Sequence, residues 1–210
     1  VAPRKHADAT DALVARDDIF ASLVAEHGPI RLGAKVPVAR RYESLAQSIA
    51  HQQLAARAAA SIWGRVRALS DDGFTPEVVL DLPPGSLRRA GLSQAKADAV
   101  RDLAGRVVAG EIRLDEVGRM PDDDVVTMLT QARGVGPWTA HMFLLFDLHR
   151  LDVWPTGDYG VRVGYGRAFG LEAPPTPKEL DVLGERFRPY RSVAAWYCWR
   201  VVDSPSPDHS

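Results

Sequence analysis

From Tyr42 to the C terminus apolar residues recur at spacings of three and four, and almost no alternating β-branched run reaches strand length. Such a chain can bury its apolar surface only by packing amphipathic helices, so the predicted fold class is all-α. Two helices, over Tyr42–Ala50 and Leu54–Leu69, flank a polar break at His51-Gln52-Gln53. Ser86 is expected to cap a short helix ending at Gly91, and Ser93 a longer one to Val108 with Ala97, Val100, Leu103, Ala104 and Val107 as its buried stripe. Pro121 followed by Asp122, Asp123 and Asp124 starts a helix to about Gln131, because proline suits a first turn and carboxylates favour the positive helix end. Gly134-Val135-Gly136 breaks that helix and Pro137 restarts one, giving helix, tight hairpin, helix over about residues 122–146. Later helices are expected from Asp158 to Phe169, from the capping box Thr176-Pro-Lys-Glu179 to Phe187, and from Ser192 to Val202. With one helix over Asp11–Glu26 the total is about nine or ten. The domain reading is an N-terminal helix and loop over 1–41, a helical core over 42–202 and a disordered tail over 203–210.

Composition narrows the function classes. The 26 Lys and Arg against 27 Asp and Glu leave a net charge of -1, so a polyanion must be met by a local patch rather than by an overall field. The single Cys198 excludes an internal disulfide, a Cys-rich zinc module and an iron-sulfur cluster. No apolar run approaches the roughly 18 residues of a membrane-spanning helix, and the expectation is a cytoplasmic protein, nucleoid-associated in a bacterium, with no membrane partner.

The hairpin carries the first chemical hint. Glycines at 134 and 136 expose amide N–H groups, and the next helix begins at once with its positive end facing the same way, which suits a single phosphate. Taken alone, the same residues describe an ordinary helix-helix turn equally well. The run Ala132-Arg-Gly-Val-Gly-Pro-Trp-Thr-Ala-His141 is followed by Pro155-Thr-Gly-Asp-Tyr159. With Ile49-Ala-His-Gln-Gln-Leu54, Gly91-Leu-Ser-Gln-Ala-Lys-Ala97 and Phe187-Arg-Pro-Tyr-Arg-Ser192 in the same order, the chain resembles the helix-hairpin-helix DNA glycosylases, and within them the alkylpurine (3-methyladenine) glycosylase II branch.

That resemblance implies two helical subdomains with the active site in the cleft between them, and a monomer acting on damaged double-stranded DNA. It makes Asp158 the catalytic carboxylate, although by residue type alone Asp158 reads as a helix cap. It makes Trp138 and Tyr190 aromatic walls of the base pocket, with Met142 where relatives can carry an aromatic residue. Gln53 matches the position that enters the DNA stack, with Gln52 and Leu54 beside it and His51 near a phosphate; the bare sequence reads as a solvated turn. Gly134, Val135, Gly136 and Thr139 would meet the DNA backbone. No cofactor is required, but a monovalent cation (Na or K) would sit on the backbone carbonyls of Thr130, Ala132 and Val135. Trp138 stands where strand-cleaving relatives place a lysine, so the implied enzyme is monofunctional and leaves an abasic site. A non-catalytic protein that binds abasic or distorted DNA through the same hairpin is the alternative. Trp196, Tyr197 and Trp199 read as core aromatics of the last helix. A local grip on phosphate predicts a shallow salt dependence, with about two to four counterions released.

Overall fold

A computed structural model describes residues 2–71 and 73–203, with side chains from Lys5 onward; of the expected tail, residues 204–210 lie outside the described residues. Among the described residues there are twelve α-helices and no strand. They are α1 (Ala2–Val14), α2 (Asp18–His27), α3 (Arg41–His51), α4 (Ala56–Arg67), α5 (Pro76–Asp81), α6 (Ser86–Arg89), α7 (Gln94–Val108), α8 (Asp122–Leu129), α9 (Pro137–Met142), α10 (Tyr159–Ala168), α11 (Pro177–Gly184) and α12 (Arg191–Asp203). The all-α class is as the periodicity predicts.

The differences from the sequence reading have local causes. Where one N-terminal helix was expected there are two, because the Asp17 carboxylate accepts the Ile19 N–H and starts α2 afresh. Helix α5 was not anticipated, although Thr75 caps it through the Val78 N–H and Pro76 occupies its first turn. The short helix at Ser86 is capped not by that serine but by Gly85, in the left-handed conformation. Pro121 is the N-cap of α8 rather than a first-turn residue, and α8 stops at Leu129, two residues before the expected end. Ser93, Asp158 and Thr176 cap α7, α10 and α11 as their residue types suggest, Thr176 with the full reciprocal box to Glu179.

The described residues divide into two compact units, residues 36–143 and residues 2–35 with 144–203. In the first, α7 packs against α3, α5 and α6, α3 against α4, and α8 against α9. Its core holds Tyr42, Leu45, Ile49, Val66, Val100, Leu103 and Leu129, each buried aliphatic side chain worth about 1.5–3 kcal/mol relative to exposure. The Tyr42 hydroxyl donates to the Val100 carbonyl at 3.1 Å, and burial pushes its phenol far above the ordinary range. On α7 the stripe is Ala97, Ala99, Val100, Leu103 and Ala104, while Val107 is only half-buried.

In the second unit α10 and α12 form the main helix pair, and α1 and α2 pack on α12. Phe20, Trp154, Tyr165, Phe187 and Tyr197 fill its core as a cluster of edge-on and tilted rings. The segment Phe187–Ser192 acts as a fastener. The Asp152 carboxylate accepts from Arg188 at 2.8 Å and from Arg191 at 2.7 and 3.0 Å, and the Ser192 hydroxyl oxygen accepts the Val153 N–H at 2.9 Å. These bonds tie residues 151–153 to the start of α12.

Candidate active site

In the 36–143 unit the polar break and the hairpin form one structure. Helix α3 ends at His51; Gln52 turns the chain away, and Gln53 takes a φ of 56°, unusual for a residue with a side chain. The Gln52 amide Nε2 donates to the Gly134 carbonyl at 2.9 Å and, more weakly, to the Thr139 hydroxyl at 3.4 Å. At the hairpin Gly134 has a φ of 76°, and a Cβ there would lie 2.9 Å from that of Ala99, so both conformation and space demand glycine. From the other side Asp102 accepts the Arg133 N–H at 2.7 Å and the Arg106 guanidinium at 3.0 Å. Burial pushes the Asp102 carboxyl upward, but these donors outweigh it and hold its pKa below the usual value.

A cavity of about 720 Å³ opens beside the hairpin, lined by His51, Gln52, Gln53, Gly136, Trp138, Thr139 and Met142 together with Ser44, Gln47 and Ser48 of α3. Seven positions singled out from the sequence thus meet in one place. The three α3 residues lie with His51 at helical spacing on one polar face of α3, and nothing in the sequence distinguished them from a solvated face. Trp138 is 48% exposed, a large apolar surface left open to the cavity. Burial first, and then the positive Lys96, lower the pKa of His51 below its ordinary 6.5, and its Nε2 has no hydrogen-bond partner. Leu54 is 39% exposed and is not among the lining residues. Val135 is buried, so only its backbone is offered to a ligand.

The other unit carries Asp158. The residue caps α10 and stands half-buried, its Oδ1 accepting the Val161 N–H at 2.8 Å and the Trp199 indole N–H at 2.9 Å. Trp196 and Tyr197 are core residues as expected, but Trp199 is not: it is half-buried, stacks obliquely on Phe146 at 5.7 Å and spends its one polar hydrogen on Asp158. No local signal reports this, because 41 residues separate the partners. Tyr190 lies half-buried with the Arg16 guanidinium 5.6 Å from its ring centroid.

No group of three or more His, Cys, Asp or Glu among the described residues could hold a metal. The hairpin carbonyls of Thr130, Ala132 and Val135 are neutral oxygens, a donor set that fits a weakly held monovalent ion. Ala132 already accepts the Val135 N–H at 3.1 Å and would offer such an ion only its second lone pair. Among the described residues no helix is long and apolar enough to cross a membrane.

Comparison with known proteins supplies the family. Residues 46–189 match the HhH-GPD superfamily of base excision DNA repair proteins, and the chain belongs to that family. It is 33% identical over 188 residues to DNA-3-methyladenine glycosylase 1 of Schizosaccharomyces pombe, covering 88% of this chain and 82% of the relative. Among solved structures it resembles the 3-methyladenine DNA glycosylase of Schizosaccharomyces pombe in complex with abasic DNA, with a TM-score of 0.83, 32% identity and coverage of 94% and 97% of the two chains. A DNA-3-methyladenine glycosidase from Bacillus halodurans gives a TM-score of 0.81 at 32% identity, over 91% of this chain and 87% of that one.

Proposed function

We propose that this protein is a monofunctional DNA glycosylase that removes alkylated purines, 3-methyladenine foremost and 7-methylguanine second, from double-stranded DNA. The observation that carries the reading is the anchored Asp158 carboxylate, in a chain whose relatives of matching length are named 3-methyladenine glycosylases. The target nucleotide must leave the stack before its glycosidic bond can be reached. Gln53 fills the gap, flanked by Gln52, Leu54 and His51, while Gly134, Val135, Gly136 and Thr139 hold the backbone. Trp138, Met142 and Tyr190 receive the base, and an electron-rich ring attracts a cationic purine by about 1–2 kcal/mol once water is excluded. When the bond from C1′ to the base nitrogen breaks, both electrons go to the base, which departs neutral because alkylation had already made it cationic. The sugar is left as an oxocarbenium ion. A carboxylate about 4 Å away at an effective dielectric near 20 stabilises it by roughly 4 kcal/mol, about a thousandfold in rate. Water then adds at C1′ and loses its proton, and an abasic site remains.

What supports Asp158 in this role is orientation. Two donors fix one carboxylate oxygen from the backbone and from an indole, so the group needs no reorganisation as charge develops. Trp138 offers no amine for a Schiff base, which keeps the chemistry hydrolytic. A monovalent cation on the carbonyls of Thr130, Ala132 and Val135 would add positive charge beside a bound phosphate. The enzyme acts as a monomer and needs no other cofactor.

The test compares wild type with Asp158→Asn on methylated duplex DNA, reading free 3-methyladenine and 7-methylguanine and the affinity for an abasic duplex. The expected result is release by the wild type that falls by about a hundredfold or more in a variant still able to bind. Unchanged release would show that another group does the chemistry, and binding without release by either protein would favour the non-catalytic reading.

A further inference from the structure

Lys96 belongs to the segment Gly91–Ala97, which none of the roles above explains. Its ammonium group donates to the Ala50 carbonyl at 2.8 Å and to the Gln52 carbonyl at 2.5 Å. These two oxygens lie at the end of α3 and in the turn after it. The last carbonyls of a helix have no partner within it and carry partial negative charge, so a cation there both satisfies and neutralises them. A helix more often ends on a glycine in the left-handed conformation. Here that conformation falls to Gln53, whose φ is 56°, and the strain persists only if the surroundings impose it.

The turn has two independent anchors. Lys96 holds its backbone from α7, and the Gln52 side chain holds it to Gly134 of the hairpin at 2.9 Å. Gln53 itself lines the open cavity.

We propose that Lys96 is a positioning residue: by binding the Ala50 and Gln52 carbonyls it keeps the strained turn preformed, so that Gln53 is presented ready to enter the DNA stack. The inference rests on the gap-filling role given to Gln53 above. Preforming matters because a loop that must be ordered during binding subtracts its ordering cost from affinity. Single-stranded DNA has no stack to hold open, so the benefit is confined to duplex substrates.

The experiment is a double-mutant cycle of Lys96→Met and Gln53→Ala, read by affinity for an abasic duplex, by excision of methylated purine from duplex and from single-stranded DNA, and by thermal unfolding. Loss of these part-buried, charge-assisted bonds is expected to weaken duplex binding and duplex excision by about tenfold in Lys96→Met. Single-strand excision should stay within about threefold, and Lys96→Arg should recover most of the loss. In the Gln53→Ala background the same Lys96→Met change should cost little, because its effect passes through Gln53. Equal losses in both backgrounds, or parallel losses on duplex and single strand together with a lowered melting temperature, would overturn the proposal in favour of a general structural role. If Lys96→Met does not fold, the cycle is run with Lys96→Gln and judged by the same coupling. A wild type that neither binds the abasic duplex nor releases base would instead strike at the glycosylase reading itself.

Discussion

Gly164 decides how closely α10 and α12 approach, and its replacement by alanine sets two effects of opposite sign against each other. In an exposed helix Gly→Ala stabilises by about 1 kcal/mol, because alanine has less backbone freedom to lose. At this position a Cβ would lie 1.9 Å from the carbonyl oxygen of Cys198, 2.4 Å from its carbon and 2.8 Å from its Cα. Those atoms are backbone inside α12 and cannot rotate away, so the helices must separate by about 1.5 Å to restore ordinary contact. Overpacking commonly costs about 1–3 kcal/mol, and a clash with backbone belongs at or above the top of that range. The clash therefore wins, and a net loss of about 2–3 kcal/mol lowers the melting temperature by roughly 4–12 °C in a chain of this size. The same movement reaches the chemistry. Asp158 caps α10 and Trp199 belongs to α12, so their 2.9 Å bond would stretch past hydrogen-bonding distance. A bond to a charged acceptor is worth about 1.5–3 kcal/mol, so single-turnover base release should fall by roughly ten- to a hundredfold at a temperature where the variant is fully folded. The assays are thermal unfolding by circular dichroism and single-turnover excision from methylated duplex DNA. Gly105→Ala in α7, where nothing lies within 4 Å of the added carbon, is the control and should gain about 0.5–1 kcal/mol. A Gly164→Ala protein that melts at or above wild type would refute the packing argument; lowered stability with unchanged turnover would refute the link to Asp158.

Trp199→Phe removes the indole donor while keeping a ring against Phe146, and should lower kcat by about tenfold or more with a smaller effect on KM and a nearly unchanged melting temperature. Equal kcat in steady-state assays would count against orientation of Asp158 by the indole. Burial lowers the pKa of His141 from its ordinary 6.5 against the pull of Asp122 and Asp123, and burial lowers those of His51 and His149 too. The unfolded chain then binds more protons as the pH falls through that value, so stability is full above about 6.5 and is lost below it. Melting temperature should rise between about pH 5 and pH 7, and His141→Gln should flatten that rise; an unchanged slope in calorimetry would exclude His141 as a contributor.

Much of this protein was legible in its sequence because the signals are local. Proline and aspartate mark where α8 begins, Ser93 and Thr176 cap helices with their own hydroxyls, and Gly134, with its φ of 76°, turns the hairpin, all through effects confined to a few neighbouring residues. The start signal at Thr75-Pro76 is equally local. The aspartate at a helix start and the tryptophan after the hairpin were visible as residue types in order, though the roles assigned to them came from resemblance and not from spacing.

Contacts between distant residues were not legible. Nothing in a linear pattern says that the Trp199 indole reaches Asp158, that Lys96 reaches back to Gln52, or that Asp102 holds the Arg133 amide. Nor does it say that residues 2–35 belong with residues 144–203 in one compact unit. The sequence determined the helices, their caps and the inventory of chemical groups, because those depend on bonds between near neighbours and on helical periodicity. The tertiary structure alone decided which half-buried groups share a hydrogen bond, because that depends on which apolar faces bury each other and brings together side chains whose separation along the chain carries no energy of its own.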